Sequence, residues 1–292
     1  MLMMAVLSGA GAQAGDSAAE LMQAKKYAEA AELLRAQVAD SAADARAWYQ
    51  LAICYSQLER RAEAVAAYSE AEKLGYRLTQ IRYNLACFAA LDGDTEAAFA
   101  WLAQSIDAGF NDPAHLREDT DLQSLHSDPR FDSLALGADK NARPCEYDER
   151  CRQFDFMLGV WDVFSAQGQT IAQSRWSRDL NGCLIRENWT DLYGSQGESI
   201  NYFDPAAELW RQNWVADDGW ITEYQGNFSD GALRYSGRSA YRDGSIKLGR
   251  STFTPKPDGT VHHHIERSSD NGATWIVTFD AIYRPQSPAD SL

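Results

Sequence analysis

Most motifs that announce an enzyme are missing from this 292-residue chain. There is no GxSxG elbow, no HExxH pair, no glycine-rich phosphate loop and no nucleophile set beside a base. There is no CxxC pair and no Cys/His cluster at zinc spacing, so neither a structural zinc site nor a dithiol redox pair is signalled. Positive charge is scarce: 27 Lys and Arg stand against 42 Asp and Glu, a net charge of −15. A surface this acidic repels nucleic-acid backbones and anionic membranes, so neither is expected as a partner. No stretch of about 18 apolar residues is present to span a bilayer. Cysteines are few and odd in number (Cys54, Cys87, Cys145, Cys151 and Cys183), so at least one is unpaired unless chains are cross-linked.

What is present amounts to two domains' worth of chain, with 45% hydrophobic residues to fill two cores. Residues 1–15 stand apart. Met1 to Leu7 is apolar, and Ala12-Gln13-Ala14 has the small-x-small form of a signal-peptidase site, although no basic residue precedes the run. We therefore expect export, to the periplasm or the medium, over a cytoplasmic chain with a frayed start. In an exported protein Cys145 and Cys151, within CEYDERC, would form a small-loop disulfide. Cys54 and Cys87 fall on helices among apolar neighbours, as small hydrophobes.

The N-terminal half repeats itself. Trp48, Leu51, Ala52 and Tyr55 form WxxLAxxY, and Ala64, Tyr68 and Ala71 continue the register. Moving 34 residues on gives Leu85, Ala86 and Ala89, then Ala98, Leu102 and Ser105; moving 34 back gives Ala30 and Leu34. Helices are predicted at 16–24, 27–39, 45–57, 61–74, 79–91 and 95–108. Such a period resembles the tetratricopeptide repeat, in which small residues let paired helices approach. A following segment with Phe110 and the run from Asp119 to Phe131 resembles the terminal cap of exported repeat proteins, with short helices near 113–125 and 128–134. The resemblance implies a shallow groove for a peptide or protein partner; the other role open to such a stack is that of a spacer or packing platform. The repeats and cap occupy 16–135, and 136–153 reads as a linker.

From Phe154 the period falls from 3.6 to 2. Turn pairs such as Asn181-Gly182, Asp230-Gly231, Asp243-Gly244, Asp258-Gly259 and Asn271-Gly272 punctuate it. Nine turns delimit ten strands, at 156–166, 170–180, 183–193, 198–203, 209–215, 220–228, 232–241, 245–254, 260–267 and 273–284. Ten hairpin-linked strands close best as an up-and-down barrel, over 154–285, with a tail at 286–292. The fold class is thus multidomain α + β, an all-α hairpin stack followed by a ten-stranded all-β antiparallel barrel. Gly159-Val160-Trp161 resembles the lipocalin and fatty-acid-binding signature. The ordered phrases GCLIRENW, SINYFDPAAELWRQNWV and DNGATW before FDAIY are similar to a family of bacterial lipocalin-like domains without assigned activity. The fuller Gly-x-Trp-x-Gly-x-Gly pattern of related haem-binding barrels is absent, since Asp162 and Val163 follow Trp161, so no cofactor is expected.

A small apolar or amphipathic molecule held in such a barrel needs aromatic walls and a few polar groups. The candidates are Trp161, Arg186, Trp189, Gln212, Trp214, Tyr224, Arg250 and His262. The tryptophans could equally be core filler, and Arg186 and Glu187 could simply pair with strand neighbours. Were the barrel an enzyme, His262 or Glu187 would be its acid–base group; a scaffold without a ligand is the third reading. In the run His262-His263-His264 adjacent side chains point to opposite faces, so only His262 and His264 converge. Without an evident third ligand, no metal is expected.

Overall fold

The computed structural model describes residues 17–286. The signal-like segment and the tail beyond Gln286 lie outside the described residues. The chain divides into two compact units between Ala142 and Arg143.

The first unit is helical: α1 (Ala18–Gln23), α2 (Tyr27–Asp40), α3 (Ala45–Gln57), α4 (Arg61–Lys73), α5 (Leu78–Leu91) and α6 (Thr95–Asp107). Side-chain caps set several starts. Ser17 and Glu20 make a reciprocal capping box, and the Asp44 and Asp94 carboxylates accept from the backbone N–H three residues on. The sequence period reappears as burial. Ala30, Ala64 and Ala98 are fully buried 34 residues apart, and Leu34, Tyr68 and Leu102 repeat the pattern one turn later. The missing side-chain volume at the alanines lets each helix close on its partner; the larger residues fill the seams. Helical repeats are therefore present, and the cap is longer than predicted. It comprises α7 (Pro113–Glu118), a 3-10 turn (Thr120–Leu125) and α8 (Pro129–Ala142). α8 outruns its expected end because Ala135 and Ala138 bury with Phe131, while Asn141 donates to the carbonyls of Ile106 and Phe110 at 2.8 and 2.9 Å.

The second unit opens with α9 (Pro144–Tyr147) and 3-10 turns at Glu149–Arg152 and Asp155–Met157. Ten strands follow: β1 (Gly159–Ser165), β2 (Thr170–Asp179), β3 (Leu184–Asp191), β4 (Gln196–Asp204), β5 (Leu209–Ala216), β6 (Ile221–Ser229), β7 (Ala232–Ala240), β8 (Ile246–Pro255), β9 (Val261–Ser268) and β10 (Ile276–Pro285). Each pairs antiparallel with the next, and β1 pairs with β10 from Trp161↔Pro285 to Ser165↔Ala281, closing the barrel. Asp230 and Gly231 both take positive φ, at 50° and 72°, as a two-residue hairpin turn requires.

The disulfide joins Cys145 to Cys183, not to Cys151. Cys151 belongs to the next helical turn, where it is buried and free. α9 packs on the Leu180–Gly182 turn, where Gly182 takes a positive φ of 86°. The bond closes a loop of sequence separation 38 and ties the barrel's N-terminal lead-in to the β2–β3 turn. Replacing both cysteines by serine should lower unfolding stability by about 2–4 kcal/mol. Denaturant unfolding with and without reductant checks this: the wild type should lose stability on reduction and the double-serine variant should not.

Candidate functional site

Closure divides every strand into an inward and an outward set. The inward set differs between the two ends. At one end the lead-in segment enters the barrel, and Phe154 meets Trp176, Trp210 and Phe253 edge-on at centroid distances of 5.3, 5.7 and 5.1 Å. Trp161 Nε1 donates to the Met157 carbonyl at 2.7 Å, and Trp210 Nε1 to Gln153 Oε1 at 3.1 Å. That end is filled. Towards the other end, near the turns that follow β3, β5 and β9, a cavity of about 190 Å³ remains.

Its lining includes Trp189, Trp214, Trp220, Tyr224, Phe279 and Tyr283, with Glu187, Gln212, Thr222, His263 and Arg267 as polar members. Glycines make room for the rings. A β-carbon at Gly197 would strike the Trp214 indole, and one at Gly249 the Tyr224 ring. Partial exposure of Trp189, Trp214 and Trp220 leaves this end accessible from solvent.

Of the residues predicted from sequence, Trp189, Gln212, Trp214 and Tyr224 come together here. Trp161 is inside but belongs to the filled end. Arg186, Arg250 and His262 are on the outer face. Arg186 bonds Asp179 at 2.9 Å and Glu198 at 3.3 Å; the Arg250 guanidinium lies 3.8 Å from the Trp275 ring centroid; His262 bonds Asp280 at 2.6 Å. All three are charged or titratable residues one position out of phase with an inward residue. The inward neighbours are Glu187, Ser251 and His263.

Glu187 is fully enclosed. Ser174 Oγ and Ser199 Oγ donate to its two carboxylate oxygens, each at 2.9 Å. Asn201 in turn donates to Ser199 Oγ at 2.9 Å. Burial outweighs the two hydroxyls and pushes its pKa up to about 7. His263 stacks on Phe253 at 3.7 Å and bonds Ser251 Oγ at 2.9 Å. Desolvation holds its pKa well below the usual imidazole value, so it is neutral. Arg267 is the cation of the wall, its guanidinium over Trp220 at 4.9 Å. Burial raises the Tyr224 pKa, and Arg267 offsets part of that. Arg267 Nε, Trp214 Nε1 and the Tyr224 hydroxyl make no hydrogen bond among the described residues. All three atoms are buried, on residues that line the cavity.

No protein-family model matches this chain, and no curated protein matches it. Among solved structures, the Yersinia enterocolitica type III secretion chaperone SycD in complex with a peptide of the translocator YopD aligns with 45% of this chain and 88% of its own, at 15% identity. The TM-score is 0.30, too low to bear on either unit.

His263, Arg267, Trp220, Phe279 and Tyr283, with Thr222, Ile265 and Thr278, also line the cavity and are not among the candidates the sequence offers. His263 was legible as inward from its alternation with Val261 and Ile265. Phe279 is legible in the same way, since it shares its parity with Ala281 and Tyr283 and the β9–β10 register shift falls before it.

Glu187 has a sign-definite effect on stability. Its pKa rises on folding from the 4.5 of a free glutamate to about 7. Between those values the native state holds the extra proton, so stability is greatest below pH 4.5 for this group and is lost as pH climbs towards 7. Glu187→Gln should flatten that slope and stabilise the barrel above pH 7 by up to about 3 kcal/mol. Thermal unfolding of both proteins across this pH range is the measurement; parallel curves would show that Glu187 ionises freely in the fold.

Proposed function

We propose that the barrel is an exported, lipocalin-like binding module for a small planar aromatic molecule carrying an acidic group. The observation that carries the reading is the pairing of an indole-lined cavity with Arg267 in its wall, together with three buried donors on lining residues that have no hydrogen-bond partner. Indole and phenol faces favour a planar apolar body. Arg267, Trp214 Nε1 and Tyr224 favour an acceptor, and a carboxylate in particular where burial holds His263 neutral and raises the Glu187 pKa to about 7, so that Glu187 carries only about half a charge near neutral pH. A volume of about 190 Å³ limits the occupant to a ring or two, less than ordinary drug-sized ligands need. The Cys145–Cys183 disulfide supports an oxidising compartment, in line with the signal-like start.

The helical unit fits the same setting as a tetratricopeptide-type stack that takes a peptide or protein. Its groove, about 1080 Å³, is lined by Tyr49, Tyr68, Tyr83, Asn84 and Phe88. Asn84 donates to the Tyr68 hydroxyl and Tyr83 to Asp119, each at 2.8 Å, so the groove's polar groups are held in fixed orientation.

A catalytic reading keeps one supporting observation: Glu187 lines the cavity with a pKa near neutrality, as a general acid or base would. Both its oxygens are already engaged by serines, which favours a positioned wall group. His262, on the outer face, cannot serve the cavity as its acid–base group.

Seven of the nine tryptophans are in the barrel, so indole emission reports on it. Titration with 2-naphthoate should give saturable quenching. Arg267→Gln should weaken binding by roughly tenfold or more, as loss of a charge-assisted contact does. Trp214→Phe should weaken it less, and the methyl ester of the probe should bind more weakly than the acid. No saturable quenching, or quenching indifferent to Arg267→Gln, would overturn the reading.

A further inference from the structure

The outer face of the barrel carries a side-chain cluster that the cavity does not use. His262 and His264 are two apart on β9 and project outward together; Asp280 on β10 is directly opposite His264. Asp280 Oδ1 is 2.6 Å from His262 Nε2 and 3.9 Å from His264 Nδ1. One donor atom from each of the three residues falls within 4.8 Å of the others. The sequence offers two histidines without a third ligand; strand pairing supplies it.

We propose that His262, His264 and Asp280 form a binding site for a late first-row divalent cation, with Zn²⁺ as its representative. Two imidazoles and a carboxylate are the donor set that borderline cations such as Zn²⁺ prefer over Mg²⁺ or Ca²⁺. Metal–ligand bonds of about 2.0–2.1 Å in tetrahedral arrangement space the donor atoms roughly 3.3 Å apart. The two Asp280 separations bracket that value, and the two histidine donors lie within 4.8 Å of each other, so the three are close enough for side-chain rotations to gather them on one ion. Competing cations are engaged elsewhere on this face. Arg250 lies over Trp275 at 3.8 Å and Arg284 over Phe164 at 4.3 Å. With three protein ligands, the remaining positions face solvent, so the ion exchanges readily.

Isothermal titration of the full chain, stripped with chelator and then given Zn²⁺ alone, tests this. The expected result is saturable uptake of about one ion per chain. His264→Gln and Asp280→Asn should each weaken it roughly tenfold or more, by analogy with the losses seen when metal-site partners are removed. Cys87, Asp119 and Asp121 in the helical unit form the other cluster that could hold an ion; Cys87→Ser should leave uptake unchanged. All three outer-face residues are at least partly exposed, and circular dichroism should show an intact barrel in each variant. Should a histidine variant misfold, the isosteric Asp280→Asn still decides the matter. Absence of saturable uptake, uptake that survives both the His264→Gln and Asp280→Asn changes, or uptake lost in Cys87→Ser would each overturn the site.

Discussion

The pairing of β1 with β10 is the constraint on which the second unit rests. Once the first and last strands bond, no edge is left, and every side chain on ten strands is committed to inside or outside. A ten-stranded interior is more than ordinary side chains fill. The chain deals with this unevenly. At one end the lead-in folds back through Phe154 and Met157, and an aromatic cluster leaves no space. At the other the inward set contains small residues, with Ser199, Ser239, Gly197, Gly237 and Gly249 among them. Space released by the small residues is partly taken up by Trp214 and Tyr224, which lie across the glycines, and what is left is the cavity. The disulfide matters in the same terms, because it anchors the segment that makes one end solid.

Inside the cavity the balance of charge follows from burial. Glu187, His263 and Arg267 are the lining groups that can carry charge near neutral pH, and desolvation acts on the first two against charge: it raises the Glu187 pKa and favours neutral His263. Arg267 lies over the Trp220 face and donates to Thr278 Oγ1 at 3.2 Å, near the accessible end. Under the proposed reading an anionic ligand would set its acidic group against Arg267 and its ring among the indoles.

The helical unit obeys a different constraint. A hairpin cannot bury its own apolar face, and three hairpins are near the minimum for a stable stack. The exposed end is covered by α7, the turn after it and α8, which bury Leu116, Leu122, Leu125 and Phe131. Asp119, at the junction of α7 and that turn, accepts from the Tyr83 hydroxyl, from the backbone N–H of Asp121 and from the Cys87 thiol. Cap and groove are therefore parts of one hydrogen-bonded arrangement.

How far such a structure can be read from sequence depends on which physical signal is local. The 34-residue spacing of Ala30, Ala64 and Ala98 is local and periodic, and so are the Asn-Gly and Asp-Gly turns; helices, strands and closure follow from them. The phase of a strand is also local, yet it is lost when the choice rests on residue chemistry rather than on alternation. Arg186 and His262 attract notice as titratable groups, but Ile185 and Val261 put the inward face on the opposite parity, which selects Glu187 and His263. Polar residues that look like ligands from a one-dimensional chain are more often the solvated half of a strand, and the informative polar residue is the one that alternates with hydrophobes and still tolerates burial. What could not be read at all is what depends on pairing between distant segments. Cys145 finds Cys183 because α9 packs on a turn 38 residues away. Asp280 becomes a partner of His262 and His264 only once the β9–β10 register is known, shift included. A search for sites in such barrels therefore has to be run on the two faces of the closed ladder, not along the chain.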